Sequence, residues 1–126
     1  MESPAHTQRK LAAIMFTDMV GYSRISDKDE KKALNLLEKH NALLREEFQK
    51  FNGHEVKGTG DGFMVKYENS LDSVNSAISI QKSLDIYNST RESDDQINLR
   101  IGIHVGDVEE KDGDIYGDGV NIAARI

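Results

Sequence analysis

The 126-residue sequence contains no cysteine and a single proline, Pro4. The lack of cysteine excludes a disulfide scaffold, a thiolate-based zinc site and thiol catalysis together. No apolar run approaches the roughly 18–20 residues that a membrane-spanning helix needs, and the N-terminus has no signal-peptide core. A soluble, cytoplasmic protein is the expectation. Basic residues are outnumbered, 16 Lys and Arg against 22 Asp and Glu, for a net charge of −6. That balance argues against binding to nucleic acid or to an anionic membrane, both of which need a basic footprint. Internal repeats and low-complexity segments are missing too. What is present is the mixture of a globular domain, 37% hydrophobic and 30% charged. A single chain of this length buries roughly 65% of the surface its unfolded form exposes, enough for one core.

Residues 1–9 are polar and read as a flexible lead-in. Lys10 to Phe16 is a short apolar run bounded by turn-like residues, which suits a buried central strand. Ser26 offers a helix N-cap, with Asp29 three residues on. Leu34, Leu37, Leu44, Phe48 and Phe51 then recur at helical spacing, with Leu36, His40 and Leu43 beside them, and Gly53 ends the helix. His54–Lys57 and Gly62–Glu68 read as two strands joined by a glycine-rich turn. Ser70 opens a second helix with Leu71, Val74, Ala77, Ile78 and Leu84 on its expected inner face. Residues 88–96 read as a polar loop. Ile97 to Val105 alternates without a fault and is the clearest strand. A Gly- and Asp-rich stretch, 106–119, leads to the opening of a helix at 120–126. The order β-α-β-β-α-β predicts an α+β, ferredoxin-like fold, an antiparallel sheet with helices on one face. Because the last helix is only begun, residues 10–126 read as a domain incomplete at its C-terminus.

Two acidic residues occupy comparable places. Asp18 follows the first strand, and Asp61 sits in the turn between the second and third, which this topology can bring together. Paired carboxylates on glycine-flanked turns suit a hard cation such as magnesium, held together with substrate phosphates. Backbone amides between Asp18 and Tyr22, around Gly21, could cradle a phosphate chain. The alternative, that both aspartates only cap turns, stays open on position alone.

Four segments together carry a resemblance: Phe16-Thr17-Asp18-Met19-Val20-Gly21-Tyr22, Lys57-Gly58-Thr59-Gly60-Asp61-Gly62-Phe63, Leu99-Arg100-Ile101-Gly102-Ile103-His104-Val105-Gly106 and residues 114–125. In this order and spacing the chain resembles the catalytic domain of class III adenylate/guanylate cyclases over about residues 10–126. The resemblance implies formation of a 3′,5′-cyclic nucleotide and pyrophosphate from a nucleoside triphosphate. It implies Asp18 and Asp61 as ligands of two Mg²⁺ or Mn²⁺ ions. Lys57 and Asp114 match the base-selecting pair, and a donor with an acceptor suits adenine, which makes ATP the expected substrate. Asn121 matches the residue that orients the ribose, and Arg125 the one that meets charge on the phosphate. These two lie four apart on the last helix, so they share a face. Thr17, Met19, Val20, Gly21 and Tyr22 are the expected phosphate-cradling segment. In the family the site lies between two domains, and this sequence carries both halves, so a homodimer is implied. Regulatory domains fused in a parent protein are implied as well.

One departure stands out. The family supplies a further triphosphate-binding lysine from a part of the domain beyond residue 126, so the chain alone is expected to be weakly active or inactive. Three other readings compete. They are a non-catalytic cyclase-like module, a guanylate cyclase, disfavoured by Lys57 and Asp114, and a cyclic-dinucleotide synthase, whose turn would differ from Gly58–Gly62. His104 reads as structural or superficial and His40 as a packing or interface residue. Arg100 and Gly102 share the polar face of their strand, where Gly102 would permit close approach of another element.

Overall fold

A computed structural model describes the backbone of residues 7–111 and 114–116 and the side chains of residues 11–107. The elements are β1 (Thr7–Met19), α1 (Tyr22–Lys28), α2 (Glu30–Lys50), β2 (His54–Gly58), β3 (Gly62–Tyr67), α3 (Ser70–Asn88), a 3₁₀ turn (Ser93–Asp95), β4 (Leu99–Lys111) and β5 (Asp114–Tyr116). The strands form one antiparallel sheet in the order β2-β3-β1-β4-β5. The first four strands are in the expected ferredoxin-like arrangement.

β1 lies at the centre because its sequence tolerates burial on both faces. Ala13, Met15, Thr17 and Met19 alternate toward the helices, and Ala12 and Ile14 are buried on the opposite face beside Met64. The strand is longer than its apolar run. Thr7–Arg9 belong to the sheet rather than to a lead-in, and β1 extends past Phe16 through Asp18 to Met19. Ladder pairing with β4 runs from Thr7 opposite Lys111 to Met19 opposite Leu99. This continuous partner holds the polar ends extended.

The helix expected from Ser26 is two helices. Ser26 falls inside α1, and Asp29 in an extended conformation separates α1 from α2, its side chain accepting from the Lys32 amide at 3.1 Å. The buried line of α2 is Ala33, Leu36, His40, Leu44, Glu47 and Phe48, while Leu34 is 51% exposed. The face is therefore turned by about one residue from the leucine stripe. Leu37, Leu43 and Phe51 pack at its margin.

A similar shift occurs in α3. Its buried residues are Ser73, Ser76, Ile80 and Leu84, whereas Leu71, Val74 and Ile78 are exposed. Serine wins the interior because it is small and its hydroxyl is satisfied there. Ser76 Oγ and the buried Tyr67 hydroxyl bond at 2.7 Å, and Ser73 Oγ donates to the Ser70 carbonyl at 2.8 Å. β4 begins at Leu99, not Ile97. Ile97 is fully buried in the preceding loop, where Asn88 bonds both its amide and its carbonyl. The Gly- and Asp-rich stretch continues β4 through Lys111 and contains β5.

Candidate active site

The site forms where the end of β1, the β2–β3 turn and the start of β4 meet. Asp18 is a strand residue, placed opposite Gly62 on one side and Arg100 on the other. Arg100 donates to its carboxylate at 2.7 Å, with both side chains partly exposed. Asp61 precedes Gly62 in the turn, and its carbonyl accepts from the Met19 amide at 3.0 Å. The turn is shaped for this by Gly60, whose positive φ of 89° favours glycine.

Contact between β1 and the turn is unusually close. A Cβ added to Gly62 would lie 1.8 Å from the Thr17 carbonyl oxygen. Beside it, the buried Thr17 hydroxyl accepts from the Phe63 amide at 3.0 Å. This clasp holds the two carboxyl groups within hydrogen-bonding reach of each other. Burial first, and then the facing Asp18 carboxylate, raise the Asp61 pKa above its usual range. Two like charges placed together in this way call for a cation.

Those carboxylates open onto a cleft of about 530 Å³ lined by Asp18, Met19, Val20, Gly21, Tyr22, Ser23, Arg24, Asp61 and Arg100. The expected phosphate-cradling segment is thus on its wall, with corrections. Thr17 is buried beneath the wall and serves as a clasp rather than a contact surface. The Met19 and Val20 amides are already committed, to the carbonyls of Asp61 at 3.0 Å and Asn98 at 2.8 Å. Gly21 and Tyr22 keep amides without a backbone acceptor among the described residues. Gly21 adopts a positive φ of 75° that turns the chain from β1 into α1.

Among the described residues no three His, Asp or Glu side chains converge as a self-contained metal cage. Asp18 and Asp61 side by side at an open cleft, the Asp61 pKa raised, fit the other mode of Mg²⁺ or Mn²⁺ binding, in which phosphates and water complete the shell.

Lys57 is exposed on β2, directly after a bulge that leaves Val56 outside the ladder register. The bulge lets Val56 pack beneath Ala12, Ile14 and Met64 and resets the orientation of the residue that follows. Asp114 opens β5 opposite Lys111. Although β2 and β5 are the two ends of the strand order, the coiled sheet brings β5 back into contact with β2. The two strands that carry the expected base-selecting pair therefore meet. Asn121 and Arg125 lie outside the described residues.

The sequence reading missed two cleft residues, Arg100 and Arg24. Arg100 was visible only as a polar position on β4, since its approach to Asp18 depends on the register. Arg24 is three residues beyond Gly21, a spacing that carries meaning once α1 is known to begin at Tyr22. Of the histidines, His40 is fully buried and stacks on Phe63 at 5.6 Å between ring centroids, a packing role as expected. Burial lowers its pKa, its Nδ1 bonds Asn41 Oδ1 at 2.8 Å, and its Nε2 has no partner among the described residues. His104 is half-buried and outside the cleft.

Comparison with known proteins bears on the same arrangement. The protein named "Putative adenylate cyclase 3" from Rhizobium meliloti (strain 1021) is 38% identical over 120 residues, which is 94% of this chain and 20% of that protein. A protein named adenylate cyclase from Podospora anserina is 30% identical, over 99% of this chain and 7% of its own length. This chain thus spans a fifth or less of these curated relatives. Among solved structures, an adenylate/guanylate cyclase/hydrolase from Silicibacter pomeroyi superposes with a TM-score of 0.86 at 35% identity, covering 94% of this chain and 70% of that one. Residues 5–126 match the family described as the adenylate and guanylate cyclase catalytic domain, and the chain belongs to that family.

Proposed function

We propose that the chain is the catalytic domain of an adenylate cyclase, converting ATP to 3′,5′-cyclic AMP and pyrophosphate. The observation that carries this reading is the pairing of Asp18 and Asp61 across the β1–β3 clasp, with Arg100 beside them and an open cleft in front. Two divalent ions, when bound at these carboxylates, supply acidification of the ribose 3′-hydroxyl and neutralisation of the triphosphate. In the reaction, the 3′-oxygen bonds to the α-phosphorus, the bond to the bridging oxygen breaks, pyrophosphate leaves and one proton is released. Positioning and charge stabilisation are what the protein contributes to such a step. Asp18 and Asp61 hold the ions, Gly21 and Tyr22 offer free amides toward phosphate oxygens, and Arg100 orients Asp18 while adding positive charge.

Adenine is favoured by Lys57 and Asp114, whose strands meet across the curled sheet. The Lys57 ammonium would donate to the ring nitrogen and the Asp114 carboxylate would accept from the 6-amino group; guanine opposes both contacts. Asn121 and Arg125 are proposed to orient the ribose and to meet developing phosphate charge. In the family these two positions act across a dimer from the metal-binding aspartates, which supports a homodimer as the working form. The small share of the curated relatives that the chain covers supports fused domains in a longer parent. No helix of the described residues is long and apolar enough to cross a membrane.

The test is cyclic-nucleotide formation from ATP and from GTP with Mn²⁺, by this chain and by one extended beyond Ile126. Cyclic AMP made in preference to cyclic GMP, and lost in Asp61→Ala, is the expected result. Equal use of both nucleotides would overturn the adenine assignment. No product from either chain would favour a non-catalytic module.

A further inference from the structure

We propose that Arg24 is a triphosphate-binding residue of this site, meeting the outer phosphates of the nucleotide across the Gly21 turn. The proposal rests on the cyclase reading above and adds a residue to it.

Three observations converge. Arg24 lines the same cleft as Asp18, Asp61 and Arg100. Its guanidinium lies over the backbone of Gly21, with Nη2 3.0 Å from where a Cβ would stand, and the left-handed turn at Gly21 leaves that space open. It has no carboxylate partner among the described residues, although the chain is acidic overall. Arg100, by contrast, is occupied by Asp18 at 2.7 Å. Of the two guanidiniums in the cleft, Arg24 is the one whose donors are uncommitted.

Charge supports the same assignment. A fully ionised nucleoside triphosphate brings four negative charges to a cleft that already holds two carboxylates. Before the partner's side of the site is counted, two divalent ions and Arg100 leave one negative charge over, which Arg24 can neutralise. A planar guanidinium can take two oxygens of one phosphate at once, which a lysine cannot do. The group stands on α1, away from the strands that carry the carboxylates, so it faces the far end of the chain of phosphates rather than the reacting α-phosphorus. Its contribution is therefore to binding and falls on KM more than on kcat.

The experiment compares wild type, Arg24→Ala and Arg24→Lys in two readouts, with Asp61→Asn as a control. One is steady-state cyclisation of Mn²⁺–ATP. The other is calorimetric binding of inorganic tripolyphosphate and of AMP in the presence of Mn²⁺. In Arg24→Ala we expect KM to rise about tenfold, with kcat within about threefold of wild type, a split typical of lost ground-state binding. Tripolyphosphate affinity should fall by a similar factor and AMP affinity should hold. Arg24→Lys should lie between. KM and tripolyphosphate affinity within twofold of wild type would overturn the proposal while leaving the cyclase reading intact, provided Asp61→Asn still abolishes turnover. If wild type forms no cyclic nucleotide, the same assay on a chain extended beyond Ile126 decides the cyclase reading, and tripolyphosphate binding decides for Arg24. Loss of that binding in Arg24→Ala then supports it, and equal binding, or none in wild type, overturns it.

Discussion

Glu47 and Asp61 are both carboxylates drawn out of water, and they have opposite fates. Glu47 is 3% exposed on α2, at the seam with α3. Burial pushes its pKa up, but Lys50 at 2.6 Å and the Ser79 and Ser83 hydroxyls outweigh that and leave the group below its ordinary range. Asp61 meets another carboxylate where Glu47 meets donors, and its pKa rises. A carboxylate surrounded by donors is finished by the fold and ties helices together. One facing its like is unfinished, and the fold holds it at some cost in stability for a ligand to complete.

The largest expected effect comes from relieving the second case. Asp61→Asn should lower cyclic-nucleotide formation on the order of a thousandfold. Melting of the metal-free protein should move the other way. A carboxyl whose folded pKa is raised above the usual 3.8 loses stability as pH climbs from there through its folded value, and asparagine escapes that loss. Thermal scans should thus show a metal-free variant at least as stable as wild type at neutral pH. Its gain from Mn²⁺, about 2.7 kcal/mol at a hundredfold excess over the dissociation constant, should vanish. A variant less stable than wild type without metal would break the comparison.

Next in size is Gly62→Ala. Its Cβ meets backbone at 1.8 Å, so β1 and the turn must separate, at a cost of about 3 kcal/mol in denaturant unfolding. Metal affinity should fall with it, because the clasp sets the carboxylate spacing. Thr17→Val keeps the shape but orphans the buried Phe63 amide, for about 2 kcal/mol. Thr17→Ser should restore most of that. Smallest is Glu47→Gln, about 1 kcal/mol by the same measurement. Glu47 stabilises the fold above its ordinary pKa of 4.5, and this is lost as pH falls through its lower folded value. The glutamine variant should accordingly lose less stability than wild type in acid.

Much of this was legible in advance. The apolar run of β1, the alternation of β4, the glycine turn and the element order pointed to the sheet, and the turn positions pointed to the two aspartates. What escaped were matters of neighbourhood. Leu34, Leu71, Val74 and Ile78 carry the apolar signal, yet Glu47, Ser73 and Ser76 take the interior. Satisfied hydrogen bonds, and for the serines small size, decide burial there, and neither is written in hydropathy. Asp29 ended one helix by capping the next, a role that competes with continuing the first. Arg100 and Arg24 joined the site through register and a turn, both of which depend on the folded chain.

α1 contains no buried residue, and only Tyr22 and Ile25 lean on the core. Seven residues so lightly held form a separate, weak unit beside the rigid sheet. Its amides are therefore the ones that hydrogen exchange should find open most often. The cleft thus has one wall that can yield while the opposite wall, fixed in the β1–β3–β4 ladders, keeps the carboxylates in place.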